Sequence, residues 1–562
     1  MTRRDEVVII QGLLNESILL VIIDESGENR LRKCKLFSRF RQKSLHLSNG
    51  LSPMYRPQCK QKKLFTKPEI QGNLSLTPNN RWVVMAKLID WSSIEDEYQK
   101  NFQSDKGEDA YSARVAFGVL FIKEFYDYSD RETVESIKEN PYLQYFLGFP
   151  EYTYDLSLHP SSLTYFRKRF PADAVSKINK QFIQSEIAKH NDSKDISPEN
   201  KMPPDEQTST DEEDSTDKDE CSDVKTSSDS NRGTITLDAT CCPADIQYPS
   251  DVRLVHEARL KSEAIIDYLQ TGYVGEKPRT YRERANKEYK RYVRNRHPSN
   301  KVRRSTLRRQ LGYLGRNLQN IEMMRQTSTS VLSERQHFEL ETITKLYQQQ
   351  LEMWQTKTRR CPNRIVSIHQ PHVRPIIRGK AKAKVEFGAK LSVSVINGFV
   401  EITKLSWDAY NESTEFIPIV EKYKEEHGVY PKRVLVDKIY RTSQNIAFCK
   451  EHGIHISGPK LGRPPKDEAE YQSQKLAEYK ESGERNVVEG KFGEGKRRYG
   501  MDCISTKLKE TSETQIQMIV FTMNVVKALR RALMLLFFAF SHLFWMGRES
   551  NNCSDYKIAH AA

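Results

Sequence analysis

The sequence predicts an α/β chain in which an all-α N-terminal region precedes a mixed strand-and-helix core that carries a helical insertion. Three observations lead there. Apolar positions recur at helical spacing over 81–170. Apolar strand runs then lead into Asp238 and Asp437, with the hairpin signal Asn397-Gly398 between them. A long basic stretch with helical character separates the first of these strands from the hairpin.

At 562 residues the chain exceeds one hydrophobic core, and length alone points to about three or four domains. Lys and Arg number 89 against 75 Asp and Glu, giving a formal charge of +14 and a pI near 9.1. That excess points to a polyanionic partner such as nucleic acid, although it also serves solubility. Nine cysteines occur without a C-x-x-C. The odd count argues against a disulfide framework and predicts a reducing, cytoplasmic setting. Cys241-Cys242 lack a second Cys/His pair nearby and make a poor zinc site. The apolar run within 7–23 is interrupted by Gln11, Asn15 and Glu16 and lacks a small-residue cleavage site, so it is not read as a signal peptide. Ala532 to Met546 is strongly apolar but shorter than the roughly 20 residues of a membrane span. It reads as a buried or partner-facing helix, with no membrane association.

Taken in order, residues 1–53 lack clear periodicity and read as a poorly ordered extension, with Met54 a candidate start. Residues 54–190 form the helical region. Trp82, Met85, Ala86, Leu88 and Ile89 make one apolar face; Val115, Val119, Leu120, Ile122 and Phe125 make a second. Ser129 and Glu132 spell a capping box that opens a third helix, and the short turn at 127–130 suits a helix-turn-helix. Ser161-Ser162 cap a helix with Leu163, Phe166 and Phe170 inward and Arg167, Lys168 and Arg169 largely outward, a candidate DNA contact. A helical bundle with one basic patch is the plainer alternative. Residues 191–232 are acidic, almost free of apolar side chains, and predict a disordered linker.

The core spans 233–526. Thr234 to Asp238 alternates as a strand with Asp238 near its end. After Pro243 and Pro249 a helix follows through Leu254, Ala258, Ile265 and Ile266, and a basic helical insertion then covers about 270–360. There Arg291, Arg294, Arg303 and Arg304 belong to a dense basic run interleaved with Tyr281, Tyr289, Tyr292 and Tyr313, which favours a track for a phosphate backbone over a merely solvated helix. Ile365 to Ile368 signals a strand; Leu391, Val393 and Val395 alternate into Asn397-Gly398, and Phe399 to Ile402 leads away. Val434-Leu435-Val436 is a buried-strand run ending in Asp437. With the insertion set aside, this order matches an RNase H-like α/β core. Residues 527–562 form a C-terminal apolar helix and tail.

Near the end of the core, Arg485 and Glu489 stand four apart, on one face of a helix, with Lys496 seven further on. Such a pair is ordinarily a solvated surface contact. Asp238, Asp437 and Glu489 together offer the hard oxygen donors that suit Mg²⁺, with Mn²⁺ as substitute. Two such ions about 3.5–4 Å apart activate a water or 3′-hydroxyl and stabilise the leaving oxygen of a phosphodiester. Arg485 and Lys496 would then neutralise phosphates. Glycines 490, 493 and 495 weaken the helix after Glu489 and leave open whether Lys496 sits on a loop. Gly458 to Lys466 offers Arg463 either to a narrow minor groove or to a plain Pro-rich loop.

These residues carry a resemblance covering about 54–526. Thr236-Leu237-Asp238-Ala239-Thr240-Cys241-Cys242-Pro243, Val436-Asp437-Lys438-Ile439-Tyr440-Arg441-Thr442 and Arg485-x3-Glu489-x6-Lys496 resemble the acidic motifs of DDE transposases of the bacterial insertion-sequence superfamily four/five, close to family five and its eleven-eighty-two branch. Ser482 stands where that superfamily's signature carries tyrosine, so the tyrosine's role does not transfer. Asn140 to Phe146 and Ser161 to Arg169 resemble the domain preceding the catalytic core. The resemblance implies metal-dependent DNA strand cleavage and transfer, double-stranded DNA partners (terminal inverted repeats and target), and a homodimer on DNA. Two rivals remain at this stage: a DNA-binding relic without catalysis, and a metal nuclease that hydrolyses DNA without joining it.

Overall fold

The computed structural model describes residues 22–23, 29–30, 69–70, 74–102, 110–194, 231–377, 385–459 and 467–558. Most of 1–53, the linker from 195 to 230 and Arg463 therefore lie outside the described residues. The chain divides into two units. In the first (1–56 and 104–110), Ile22–Ile23 pairs antiparallel with Asn29–Arg30. The second (57–103 and 111–562) contains everything that follows.

Among its described residues a short antiparallel pair, Glu69–Ile70 with Leu74–Ser75, is followed by the helices α1 (Arg81–Leu88), α2 (Trp91–Gln99), α3 (Ala113–Tyr126), α4 (Asp130–Glu139), α5 (Pro141–Phe146), α6 (Ser162–Arg169) and α7 (Ala172–Lys194). The α3–α4 turn is sharp because Asp127 takes a left-handed conformation, and the Ser129/Glu132 capping box forms as the sequence predicts. Ser161 stands at the N-cap of α6, but its hydroxyl meets the Nδ1 of His159 and caps no helix N–H. The outward reading of Arg167 is corrected. It is buried and pairs with Asp130 at the start of α4, which ties the two helices together. Lys168 is exposed, and Arg169 lies over the Phe102 ring at 3.8 Å.

The sheet consists of β1 (Thr234–Pro243), β2 (Arg374–Ile377), β3 (Val385–Ile396), β4 (Phe399–Ser406), β5 (Arg433–Leu435) and β6 (His455–Ile456). Its order runs β6-β5-β1-β3, with β2 and β4 both paired to β3. The β6-β5 and β5-β1 pairs are parallel, whereas β3 is antiparallel to β1, β2 and β4. Asn397 and Gly398, both at positive φ, make the β3–β4 turn that Asn-Gly favours. Two sequence readings change. β1 runs on to Pro243, so Asp238 lies mid-strand, because Thr240 to Pro243 keep pairing with β3. Ile365 to Ile368 form no strand; Ile365 and Ile368 fill the core of the insertion, and β2 begins only at Arg374.

Between β1 and β2 lie α8 (Asp251–Gln270), α9 (Arg282–Arg294), α10 (Asn300–Thr327) and α11 (Glu334–Gln355), packed through Leu254, Ile266, Leu314 and Leu346. After β4 come the 3-10 turn Glu412–Glu415, α12 (Phe416–His427), the 3-10 turn Lys438–Tyr440 after β5, and α13 (Ser443–Glu451). On one sheet face Ile235, Leu237, Val434 and Val436 pack with α12 and α13. On the other, Cys242, Leu391, Val393 and Val395 meet α14 (Glu468–Arg498) and α15 (Lys509–Ile558) through Val488, Ile519 and Met523.

α15 also carries Phe521 against Phe117, Phe121 and Phe182 of the N-terminal helices. Asn524 fastens it to β4, accepting from the Val400 N–H at 2.8 Å and donating to the Val400 carbonyl at 2.7 Å. Past Arg531 its Met534, Leu535 and Phe537 are exposed. Among the described residues no helix is long and apolar enough to cross a membrane.

Candidate active site

Burial of Val488 positions the site. It is a buried anchor in the middle of α14, inside the cluster on the β1–β3 face. One turn before it stands Arg485, which docking of Val488 brings to the sheet beside Asp238, and directly after it stands Glu489, which meets Arg485 on the helix. The Arg485 guanidinium lies 3.5 Å from the Asp238 carboxylate and 3.1 Å from that of Glu489.

Asp437 reaches the same level by strand register. Thr236 of β1 pairs with Leu435 of β5 in parallel, and two residues beyond each lie Asp238 and Asp437. Chain direction therefore brings both carboxylates to one edge. Asp238 is largely buried and its own Ala239 N–H donates to it at 2.7 Å. Burial pushes its carboxyl up to about 6, Arg485 counters that rise, and Glu412 and Asp437 add to it. Asp437 is exposed and accepts from the Lys438 N–H at 2.7 Å, capping the 3-10 turn.

The helix does not end at the glycines. α14 continues to Arg498, which puts Lys496 in its last turn and not on a loop. Gly495 is buried, and a Cβ there would stand 3.0 Å from the Met501 sulfur and 3.2 Å from that of Met523. The missing side chain lets the helix approach its neighbours, and packing outweighs the propensity loss.

The donor set is all carboxylate, as a hard divalent cation requires. Asp238 and Glu489 already share one cationic group, and burial of Asp238 amid acidic neighbours creates a demand for positive charge that Arg485 meets in part. These residues fit a divalent cation in their chemistry. Among the described residues, no three acidic, His or Cys side chains are drawn together as a finished metal site. Asp437 faces its own turn and Glu489 faces Arg485.

The other basic candidates divide. Arg291 and Arg294 are exposed on α9. Arg303 pairs with Asp251 at 3.7 Å, and Arg304 donates to the Trp354 carbonyl at 2.9 Å, so both are partly committed within the insertion. Its tyrosines are largely packing groups: Tyr313 is buried and Tyr289 stacks on His256. Sequence reading missed Glu412 and the hydroxyl of Tyr440, which interact electrostatically with Asp238, and Lys390, the ion-pair partner of Glu412. For Glu412 no local signal exists, since Asn411 to Glu415 reads as an ordinary polar turn.

Residues 434–526 match the family described as Transposase DDE domain, and residues 73–169 match Transposase domain (DUF772). The first match includes Asp437, Arg485, Glu489 and Lys496; the second includes α1 to α6. A protein from Rhizobium meliloti described as "Uncharacterized protein ORF8 in nfe locus" is 28% identical over 112 residues, 20% of this chain and 54% of that protein. The chain thus spans about half the length of the curated relative it matches. No solved structure matches. The DDE domain implies dependence on a divalent metal. Both family matches in this chain are to transposase domains, and together they indicate an insertion-sequence DDE transposase.

Proposed function

We propose that this protein cleaves DNA at the ends of its mobile element and transfers the strands to target DNA, with Asp238, Asp437 and Glu489 as the ligands of two Mg²⁺ ions. The observation that carries the reading is the Arg485 guanidinium shared by Asp238 and Glu489, beside an Asp437 that the parallel β1–β5 register brings alongside. Bound divalent cations supply Lewis-acid activation of the attacking oxygen and charge neutralisation at the leaving oxygen. The chain's own residues supply the rest. Asp238, held rigid in mid-strand, fixes the position of the reacting phosphate. Glu489 rides on α14, where Val488 sets its height above the sheet. Arg485 turns from carboxylate to phosphate when DNA enters, and Lys496, two turns away, neutralises a flanking phosphate.

The sheet order, with antiparallel β1-β3-β4 and parallel β5 and β6, supports the RNase H-like reading of the core. The family-five and eleven-eighty-two placement rests on the motif spacing. Lys168, Arg291 and Arg294 are the exposed candidates for backbone contacts, with the half-buried Arg169 next to Lys168 in sequence, and their charge suits double-stranded DNA. A homodimer on two DNA ends and a cytoplasmic location complete the proposal; the second rests on cysteine usage.

The test is a cleavage-and-joining assay with Mg²⁺ on DNA carrying the gene's flanking inverted repeats, comparing wild type with Glu489→Gln. Cleavage and joining by wild type, lost in the variant while DNA binding persists, is the expected result. Equal cutting by both removes Glu489 from the ligand set. Cutting without a joined product makes the protein a nuclease.

A further inference from the structure

The inner wall of the site is built by residues outside the three-carboxylate motif. Glu412 opens the 3-10 turn after β4, and this turn packs against the 3-10 turn that follows Asp437. One buried side chain clamps the two: the Asn445 amide donates to the Ser413 carbonyl at 3.0 Å and to the Tyr440 carbonyl at 2.8 Å. Glu412 is thereby tied to the Asp437 turn, and its charge acts on Asp238.

Two observations give this wall a purpose. Glu412 is largely buried, with a side chain 19% exposed, and its counter-ion is the Lys390 ammonium at 2.8 Å, from the strand paired with β1. Lys390 is itself steadied by the Tyr410 carbonyl at 2.8 Å and lies over the Tyr410 ring at 4.7 Å. Second, Tyr440 is fully buried, yet its hydroxyl has no hydrogen-bond partner among the described residues. Burial raises the pKa of that hydroxyl, the charges of Glu412, Asp238 and Asp437 add to the rise, and it therefore stands as a protonated donor among acids. A buried donor left unmade is destabilising, and an oxygen brought into the site would offset that cost.

We propose that Glu412 is a fourth oxygen ligand for the divalent cations at Asp238 and Asp437, and that Tyr440 donates its hydroxyl to an oxygen carried by those cations, a coordinated water or a phosphate. Lys390 serves as the resident counter-ion of Glu412 until the cations arrive. The proposal rests on the metal site described under the proposed function.

The test is direct titration of the full-length protein with Mn²⁺, read by the electron paramagnetic resonance of the free ion, for wild type, Asp238→Asn, Glu412→Gln, Tyr440→Phe and Glu415→Gln. Glu415 shares the turn but pairs with Lys404 at 2.6 Å, so its variant controls for the turn. Expected are weakening on the order of tenfold or more for Glu412→Gln, weakening by a smaller factor for Tyr440→Phe, and wild-type binding for Glu415→Gln. Circular dichroism melts accompany each variant. If Glu412→Gln melts as wild type and binds Mn²⁺ as wild type while Asp238→Asn loses it, the fourth ligand is refuted and the main site stands. If Asp238→Asn also binds normally, both fall. Should Glu412→Gln prove unfolded, Glu412→Asp decides: a shortened carboxylate that folds and binds Mn²⁺ unchanged overturns the proposal, and weaker binding supports it.

Discussion

The guanidinium of Arg485 stands between Asp238 and Glu489, 3.5 Å from one and 3.1 Å from the other. An arginine in that position does two opposed things. It neutralises a carboxylate that the sheet has buried, and it competes with any cation those carboxylates would otherwise hold. Arg485→Ala should therefore bind Mn²⁺ several-fold more tightly than wild type, since a unit positive charge at this distance opposes a second cation by a few kcal/mol at most in a partly screened site. Its strand cleavage should drop by on the order of 100-fold, because a charge placed on the phosphate is lost. Metal titration beside a cleavage assay checks both. Weaker metal binding together with weaker cleavage would mean that Arg485 organises the carboxylates and does not compete for them.

Arg167 and Lys168 are neighbours with separate jobs. Arg167, 6% exposed, pairs with Asp130, whose side chain is 31% exposed. Arg167→Ala should lower stability by about 2 kcal/mol, short of a fully buried pair because water reaches Asp130. Lys168→Ala should leave the denaturation midpoint in place and reduce the salt slope of DNA binding by about one. Chemical denaturation and binding at several salt concentrations separate the two effects.

Legibility in the sequence followed the range of the interaction that fixes each feature. The β3–β4 hairpin, the capping box at Ser129 and the strand run before Asp437 are set by residues a few positions apart, and all three appear where the sequence places them. Arg167 misled because its partner lies 37 positions away on another helix, and a basic triplet looks solvated until that carboxylate is in place. The strand expected at Ile365 failed for a related reason. A short apolar run has no period of its own and went to the helical core that offered burial. In the site, the alignment of Asp238 with Asp437 follows from strand order, which spacing hints at. Glu412 arrives through a clamp made by Asn445, and nothing in its local sequence announces that.

The His256 ring stacks on Tyr289 at 3.5 Å, inside the insertion and next to buried Arg259. Burial, joined by the Arg259 charge, lowers its pKa to about 4. The folded value lies below the ordinary 6.5, so the unfolded chain takes up this proton first as pH falls. The stabilisation is complete above pH 6.5 and is lost as pH falls from there toward 4. Melting of wild type and His256→Gln across that range should show the wild type losing its margin, with the variant following a flatter curve. Parallel curves would mean that the imidazole stays protonated in the fold.

Two glycines of α14 should respond to alanine in different ways. At Gly490 a Cβ meets nothing within 4 Å, and the position is exposed in mid-helix. Gly490→Ala should raise stability by about 1 kcal/mol, the propensity difference at a helical site free of contacts. At Gly495 the same methyl group would press on the sulfurs of Met501 and Met523, at 3.0 and 3.2 Å. Methionine yields more readily than backbone, so Gly495→Ala should come out near neutral, its propensity gain offset by repacking. Gly495→Val has no such escape and should destabilise by roughly 1–3 kcal/mol. That variant would also shift the C-terminal half of the helix that carries Glu489. Denaturant midpoints order the three variants, and metal binding by Gly495→Val shows whether the shift reaches the site. If Gly490→Ala proves destabilising instead, the helix must bend at that residue when it works, and its glycine serves motion in the way Gly495 serves packing.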